Sequence, residues 1–546
     1  MRGRGRIERT RAWAWRLGLA GWLCMVGAGA AWAGSGDAWP PLTLSDVSGA
    51  ASAEDDSLRR HPDRVAQRVR IEGVAPGAAG RTVRWRVDAD PLSGLDWEID
   101  AARIAADGTF SLRGMFRETM PTTLAIDYYE GTLFVSPGTD YRLRFDTFDY
   151  GLADRLNVWF PGAPVPPLTF EIDRPAAERL NHAVWDFLTL YGEEIDAEAY
   201  EAIAVYGQPQ AVLRLRARVD SLAADTAYAE AFASAYVRYR MAGLEEFARL
   251  KNDKALFRQY LKDQPLLYRN PAQMQFVRSY FGHYFDTRCP IPEKRLKQLL
   301  AGADVQTVLD TLGVDSLLVN RQWREWVYIQ AVSEALGRPD YPAEALLRQL
   351  AQLSERTAYP MHRQTIAGLL EQWRRRHEGI RLAPYVWTDM QGRAVAADTL
   401  LGAAGIWTYV CIVKSDPALS PEGSSQIYAL QQALWQTDDL PGRGLVLVCD
   451  DDSAAARTYA RALQASLQPP AALENPAADR RLSFYHFNRE IGNLKDWEVY
   501  TFPAFVVISP EGRIYPRFAA PVPDGLAAWR ALMKPNGRSD SGSGRR

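Results

Sequence analysis

The chain has 546 residues, 47% of them apolar and 24% charged, with a formal charge of -2. Those proportions exclude a wholly disordered, collagen-like or membrane-embedded chain, and the lack of a basic excess argues against nucleic-acid binding. Four cysteines are too few for a disulfide-stapled scaffold or a zinc ribbon.

Residues 1–33 read as a secretory signal peptide. Arg2, Arg4, Arg6, Arg9, Arg11 and Arg16 precede an apolar run from Leu17 to Ala33, which ends in the small-x-small pattern Ala31-Trp32-Ala33. A membrane anchor is the alternative, but the run is short for a span and holds four glycines. Lipidation of Cys24 is disfavoured by Trp22 and Leu23, where small residues are needed. The expectation is an exported chain, located in the periplasm or cell envelope, with no transmembrane segment once mature. Without residues 1–33 it carries 58 basic and 65 acidic residues, a formal charge of -7. Cys289, Cys411 and Cys449 remain, an odd number that leaves at least one without an intrachain partner.

Residues 34–65, rich in Gly, Ala, Ser, Asp and Pro, read as a linker. Residues 66–150 read as a small all-β sandwich. Val83, Trp85 and Val87 alternate with Arg84, Arg86 and Asp88 in a half-buried strand pattern. Asp107-Gly108 suits a tight hairpin turn. Leu124, Ile126 and Tyr128 alternate again before a turn expected at Glu130-Gly131. Ser136 to Asp140 makes a further turn ahead of Tyr141, Leu143 and Phe145.

Over residues 165–378 the period becomes helical, and an all-α domain is expected. Leu180, Val184, Phe187, Leu188 and Tyr191 share one face, with Asp173 as N-cap and Gly192 as the stop. Tyr228, Phe232, Tyr236, Tyr239, Phe247 and Leu250 line a longer helix, and Trp323, Trp326, Val327 and Ala331 another. These stripes read as core packing rather than a ligand groove.

Residues 381–534 alternate strands and helices, an α/β pattern, and residues 535–546 read as a disordered tail. Three apolar runs, Ile406 to Val413, Leu445 to Cys449 and Phe505 to Ser509, suit strands buried on both faces of a largely parallel sheet. Ser453 to Leu467 and Asp524 to Met533 read as connecting helices. There is no G-x-S-x-G, H-E-x-x-H, P-loop or EF-hand loop. The six histidines are scattered, so neither a metal site nor a cofactor is expected.

The segment opening with Ala383-Pro384-Tyr385-Val386-Trp387-Thr388-Asp389 and Gly392, and closing with Thr501-Phe502-Pro503-Ala504-Phe505-Val506-Val507-Ile508 and Pro510-Glu511-Gly512, resembles the TlpA-like exported branch of the thioredoxin fold. The resemblance covers about 150 residues. The stretch from Tyr260 through Asn270-Pro271 to Phe285 resembles the helical part of proteins of this kind from Bacteroidetes, in which a β-domain and a helical domain precede the thioredoxin-like module. It implies a multidomain chain: all-β sandwich, then all-α helical domain, then α/β thioredoxin-like domain.

The resemblance also locates a departure. The family's C-x-x-C window falls on Ser420-Pro421-Glu422-Gly423, which holds no sulfur. Disulfide exchange needs a thiolate at a helix N-terminus and a second thiol to resolve the mixed disulfide. A serine hydroxyl supplies neither. Cys411 and Cys449 read as buried, inert strand thiols, and Cys289 as a helix-end thiol. Pro503 sits where the family places a cis-proline beside its active site. Asp450-Asp451-Asp452, at the end of a central strand, reads as a solvated loop rather than a cation site.

Three readings follow. The first is a redox-inactive thioredoxin-like protein with no catalytic residue, which binds an extended peptide or envelope protein by strand addition at Ser420, Pro421, Glu422, Gly423, Phe502 and Pro503. The second is a thiol-disulfide oxidoreductase using an atypical cysteine. The third is a structural or glycan-associated envelope protein.

Overall fold

The computed structural model describes residues 65–126, 129–147, 167–173, 179–222, 231–381, 386–402, 406–415, 422–435, 442–450, 453–467, 482–488, 499 and 502–515. The signal peptide, the linker, the tail, Tyr128, Tyr228 and the helix expected over 524–533 lie outside them. The chain divides into two units, the first holding most of the residues up to Leu370 and the second continuing from Glu371.

The first unit opens with strands β1 (Gln67–Val74), β2 (Thr82–Asp88), β3 (Asp96–Arg103), β4 (Thr109–Phe116), β5 (Met120–Ile126), β6 (Tyr129–Val135), β7 (Asp140–Phe145) and β8 (Phe170–Ile172). They form two four-stranded sheets, ordered β4-β1-β7-β8 and β3-β2-β5-β6. Period-two patterning places Val83 and Trp85, and Tyr141, Leu143 and Phe145, in the core. Trp85 meets Phe116 at a ring separation of 5.1 Å.

Three local expectations change. Asp107-Gly108 does turn, with Gly108 at φ +84°, but β3 and β4 lie in different sheets, so it is a corner and not a paired hairpin. Glu130 and Gly131 lie inside β6. Gly131 is required there by close approach, since a Cβ would stand 2.3 Å from the Leu168 carbonyl oxygen. Residues 170–172, within the span read as helical, instead extend the first sheet by pairing with β7.

The helical part comprises α1 (Arg179–Glu194), α2 (Ala197–Tyr206), α3 (Gln210–Leu222), α4 (Ala231–Phe247), the short α5 (Asp253–Leu256) running into a π turn (Phe257–Leu261), α6 (Pro271–Tyr280), the short α7 (Tyr284–Thr287), α8 (Glu293–Gly302), α9 (Val305–Leu312), α10 (Arg321–Ala335), α11 (Ala343–Arg356) and α12 (Pro360–Glu378). The stripes bury as one aromatic-rich core that includes Phe187, Tyr236, Tyr239, Trp323 and Trp326. α1 continues two residues past Gly192, because Gly192 is tolerated within the helix and the chain leaves it only after Glu194. Asp173 donates its backbone N–H to Arg142 O, extending the β7–β8 pairing. Asn181 of α1 binds both backbone groups of Phe134, each at 2.8 Å, and so docks the helix on β6.

The second unit carries β9 (Ile380–Arg381), β10 (Val386–Asp389), β11 (Ala394–Ala396), α13 (Ala397–Gly402), β12 (Trp407–Val413), α14 (Gly423–Trp435), β13 (Gly442–Asp450), α15 (Ser453–Ser466), β14 (Leu482–Asn488), β15 (Ala504–Ile508) and β16 (Arg513–Tyr515). Its sheet runs β11-β10-β14-β13-β12-β15-β16-β9. β12, β13 and β14 are parallel, whereas β15 is antiparallel to β12 and β16 to β15. The sheet is therefore mixed: the Phe505 run is as apolar as its neighbours, and apolarity reports burial on both faces rather than strand direction. Among the described residues no helix is long and apolar enough to cross a membrane.

Candidate functional site at the end of the central strand

β12 is buried along almost its whole length, as an apolar β-branched run between two ladders should be. It delivers the chain to Lys414 and Ser415 at its carboxyl end, where open α/β sheets place ligands. Of the six residues singled out there, Ser420 and Pro421 lie outside the described residues. Glu422 is exposed, and its carbonyl accepts the backbone N–H of Gln426 at 2.9 Å. The Ser425 hydroxyl donates to the same carbonyl at 2.9 Å. Gly423 is buried and is the first residue of α14. The segment expected to hold the window thus enters a helix N-terminus, and Gly423, expected at the second thiol position, has no side chain.

Phe502 and Pro503 approach along β15. The β12–β15 ladder runs through Cys411–Phe505 and Ile412–Ala504, and the Phe502–Pro503 peptide just before it is cis. Phe502 is buried. The Lys414 ammonium lies 4.7 Å from its ring centroid, a cation–π contact at the end of the two strands. Lys414 was not singled out by its sequence. The signal was a lysine closing an apolar strand, and it is 3% exposed. Ser415 donates its hydroxyl to Asp450 Oδ2. The Asp450 carbonyl lies 3.0 Å from His486 Nε2. Asp450 is thus tied into the strand ends, while Asp451 and Asp452 lie outside the described residues. Among the described residues no cluster of three His, Cys, Asp or Glu could hold a metal ion.

The two strand thiols belong to different faces of the sheet. Cys411 packs with Ile427 and Leu430 of α14 and Ala456 and Ala460 of α15. Cys449 packs with Trp387, Phe502 and Ile514. Cys411 is in register with Val446 of β13, so Cys449, three residues further on, points the other way. No disulfide joins Cys289, Cys411 or Cys449. Burial pushes the Cys411 thiol far above the usual range. Burial also raises Cys289, with the Asp315 carboxylate acting in the same direction. All of this disfavours the thiolate that exchange chemistry needs.

No family model and no curated protein matches the chain. Solved structures to which part of the chain is similar include the thioredoxin domain of a thiol-disulfide oxidoreductase from Bacteroides vulgatus, at 11% identity, covering 28% of this chain and 96% of that one with a TM-score of 0.21. A thioredoxin-like protein from Porphyromonas gingivalis has 16% identity, covering 29% and 94% with a TM-score of 0.21. A thioredoxin-like protein from Bacteroides caccae has 12% identity, covering 47% and 92% with a TM-score of 0.24. The chain has β sheets, a helical region and a thioredoxin-like segment, the last visible in its own strand order: three parallel strands flanked by the antiparallel β15 and β16, with a helix following the central strand.

Proposed function

We propose that this is an exported protein of the periplasm or cell envelope whose thioredoxin-like segment carries no redox pair and binds an extended peptide of a partner protein. One observation carries the redox-inactive reading. The helix N-terminus that would activate a thiol begins at Gly423, and the two thiols of this segment, Cys411 and Cys449, are buried on opposite faces of the sheet. Disulfide exchange needs an accessible thiolate with a resolving thiol beside it. Peptide binding is supported by the termination of the β12–β15 ladder at Ile412–Ala504 and by the exposure of Glu422 just before α14, the helix that follows β12 in the chain. Beyond that pair an incoming strand would meet backbone, with side-chain pockets giving selectivity.

The test is insulin reduction with a dithiol donor, run alongside selection of binders from a peptide library. The reading expects no turnover above the uncatalysed rate and a selected peptide whose affinity falls in Glu422→Lys. Turnover that disappears in Cys411→Ala or Cys289→Ala would overturn the redox-inactive half. Failure to select any peptide sensitive to Glu422→Lys would overturn the binding half.

A further inference from the structure

The helical part holds a second cluster of charge with no role in the window. Glu245 of α4 is fully buried. Its carboxylate pairs with Arg216 of α3 and with Lys251, whose Nζ lies 2.7 Å from Oε2. The Tyr260 hydroxyl donates to the same Oε2 at 3.0 Å and accepts from Arg216 Nη2 at 3.2 Å. The guanidinium of Arg238 stands 5.7 Å from the Tyr260 ring centroid and the Lys251 ammonium 5.4 Å. Two cations therefore share the Glu245 carboxylate and a third stands over the Tyr260 ring bonded to it, and no other acid pairs with any of the three among the described residues. Arg214 and Arg218, also on α3, are instead committed to Glu193 and Glu194.

The donors left over point to a ligand. Lys251 spends two of its three N–H bonds, on Glu245 and on Gln259 Oε1 at 2.6 Å. Arg216 engages only Nη2, and Arg238 engages Nη1 with Gln264 and Nη2 with the Gln259 carbonyl, leaving Nε. Arg216 and Lys251 are partly exposed and Arg238 is exposed, so those donors reach solvent. Burial, and then the Arg216 guanidinium, hold the Lys251 ammonium below the usual lysine range, as expected where cations crowd together. The backbone here is unusual as well. Tyr260 sits on the π turn, and Arg249 and Asp263 on either side of that turn hold left-handed φ of 51° and 57°. π turns and non-glycine left-handed residues concentrate at functional sites.

We infer that Arg216, Arg238 and Lys251, held in place by Glu245 and Tyr260, form a binding site for a dianionic phosphate group. The net charge of the cluster is +2, which matches a dianion, and arginine forks suit phosphate oxygens. Both the free ion and a phosphate monoester present this group.

Calorimetric titration of the full chain with inorganic phosphate, phenyl phosphate and inorganic sulfate, at matched ionic strength in chloride, tests the site. Saturable one-to-one binding of phosphate or phenyl phosphate is expected. It should weaken about tenfold or more in Arg238→Gln and in Lys251→Gln, and remain unchanged in Arg348→Gln on the exposed face of α11. Tighter binding of phenyl phosphate than of phosphate identifies a monoester as the ligand, and the reverse identifies the free ion. Arg238 is exposed, so its variant should keep the wild-type melting temperature. If Lys251→Gln does not fold, Arg216→Lys replaces it, and there the loss of the fork should weaken binding. Absence of saturable heat with both phosphates, equal affinity in the variants, or sulfate binding more tightly than either phosphate overturns the proposal.

Discussion

Glu325 of α10 and His362 of α12 are both fully buried, with the carboxylate Oε2 3.1 Å from the imidazole Nδ1. The far nitrogen, Nε2, lies 2.8 Å from the Tyr268 hydroxyl, which accepts from Gln322 Nε2 at 3.1 Å. That order fixes the protons. Nδ1–H donates to the carboxylate, and Nε2 accepts from Tyr268. Thr357 and Arg321 donate to the same carboxylate at 2.6 and 2.8 Å.

The pair makes stability fall with acid. Burial lowers His362 below the unperturbed value of 6.5, against the pull of Glu325. Burial would raise Glu325, but the hydrogen bonds from His362, Thr357 and Arg321 together hold it below the usual range. Both groups bind protons more readily unfolded than folded, so stability rises with pH through their titration. The His362 contribution is fully present above about pH 6.5 and is lost as pH falls through the lowered folded value. The melting temperature should drop between pH 7.5 and pH 5.5, and His362→Gln should flatten that drop. An equal drop in the variant would refute the assignment.

Much of this was legible in the sequence, and the failures share a cause. The alternation at Val83, Trp85 and Val87 and the apolar run ending at Val413 report burial, and burial is what the strands show. Partner identity is not a local property. The sequence around Asp107-Gly108 encodes a turn but not that β4 joins β1. Glu130-Gly131 has turn composition, yet the glycine answers to Leu168, 37 residues away. That residues 420–423 hold no sulfur is a fact of the sequence, whereas Lys414 against Phe502 required the pairing of β12 with β15.

Two glycines give opposite expectations. Gly131→Ala places a Cβ 2.3 Å from the Leu168 carbonyl oxygen and 2.9 Å from the Phe170 ring. The nearer obstacle is backbone and cannot rotate away, so the variant should lose about 1–3 kcal/mol. Gly243 lies within α4 with open space where a Cβ would go. Gly243→Ala should add about 0.5–1 kcal/mol by removing the glycine penalty. Urea unfolding of both variants checks the signs.

Asn181 substitutes for a strand neighbour at Phe134 by giving one acceptor and one donor. Asn181→Leu leaves a buried N–H and a buried C=O unsatisfied, and should cost about 2–4 kcal/mol. Asn181→Asp keeps the acceptor and loses the donor, so its effect on the C=O side can be separated in the same urea series.

The thiols should be slow to react in the folded chain. Attack on an alkylating reagent runs through the thiolate, and both Cys411 and Cys289 are pushed toward the neutral form by burial. Cys411 is also fully buried and covered by α14 and α15, so its access needs local opening. Cys289 is half-buried, hydrogen-bonds with Tyr284 and lies beside Asp315, so it has access without activation. In a chain beginning at Gly34, iodoacetamide at pH 8 should modify Cys289 first, then Cys411 and Cys449 only on a timescale set by opening. All three should react at least about tenfold faster in urea. Raising the pH should accelerate Cys289 steadily without a plateau below pH 9, because its thiol lies above the ordinary range. A plateau near pH 7 at any of the three would reveal an activated thiol, and with it a redox centre that the burial of these cysteines argues against.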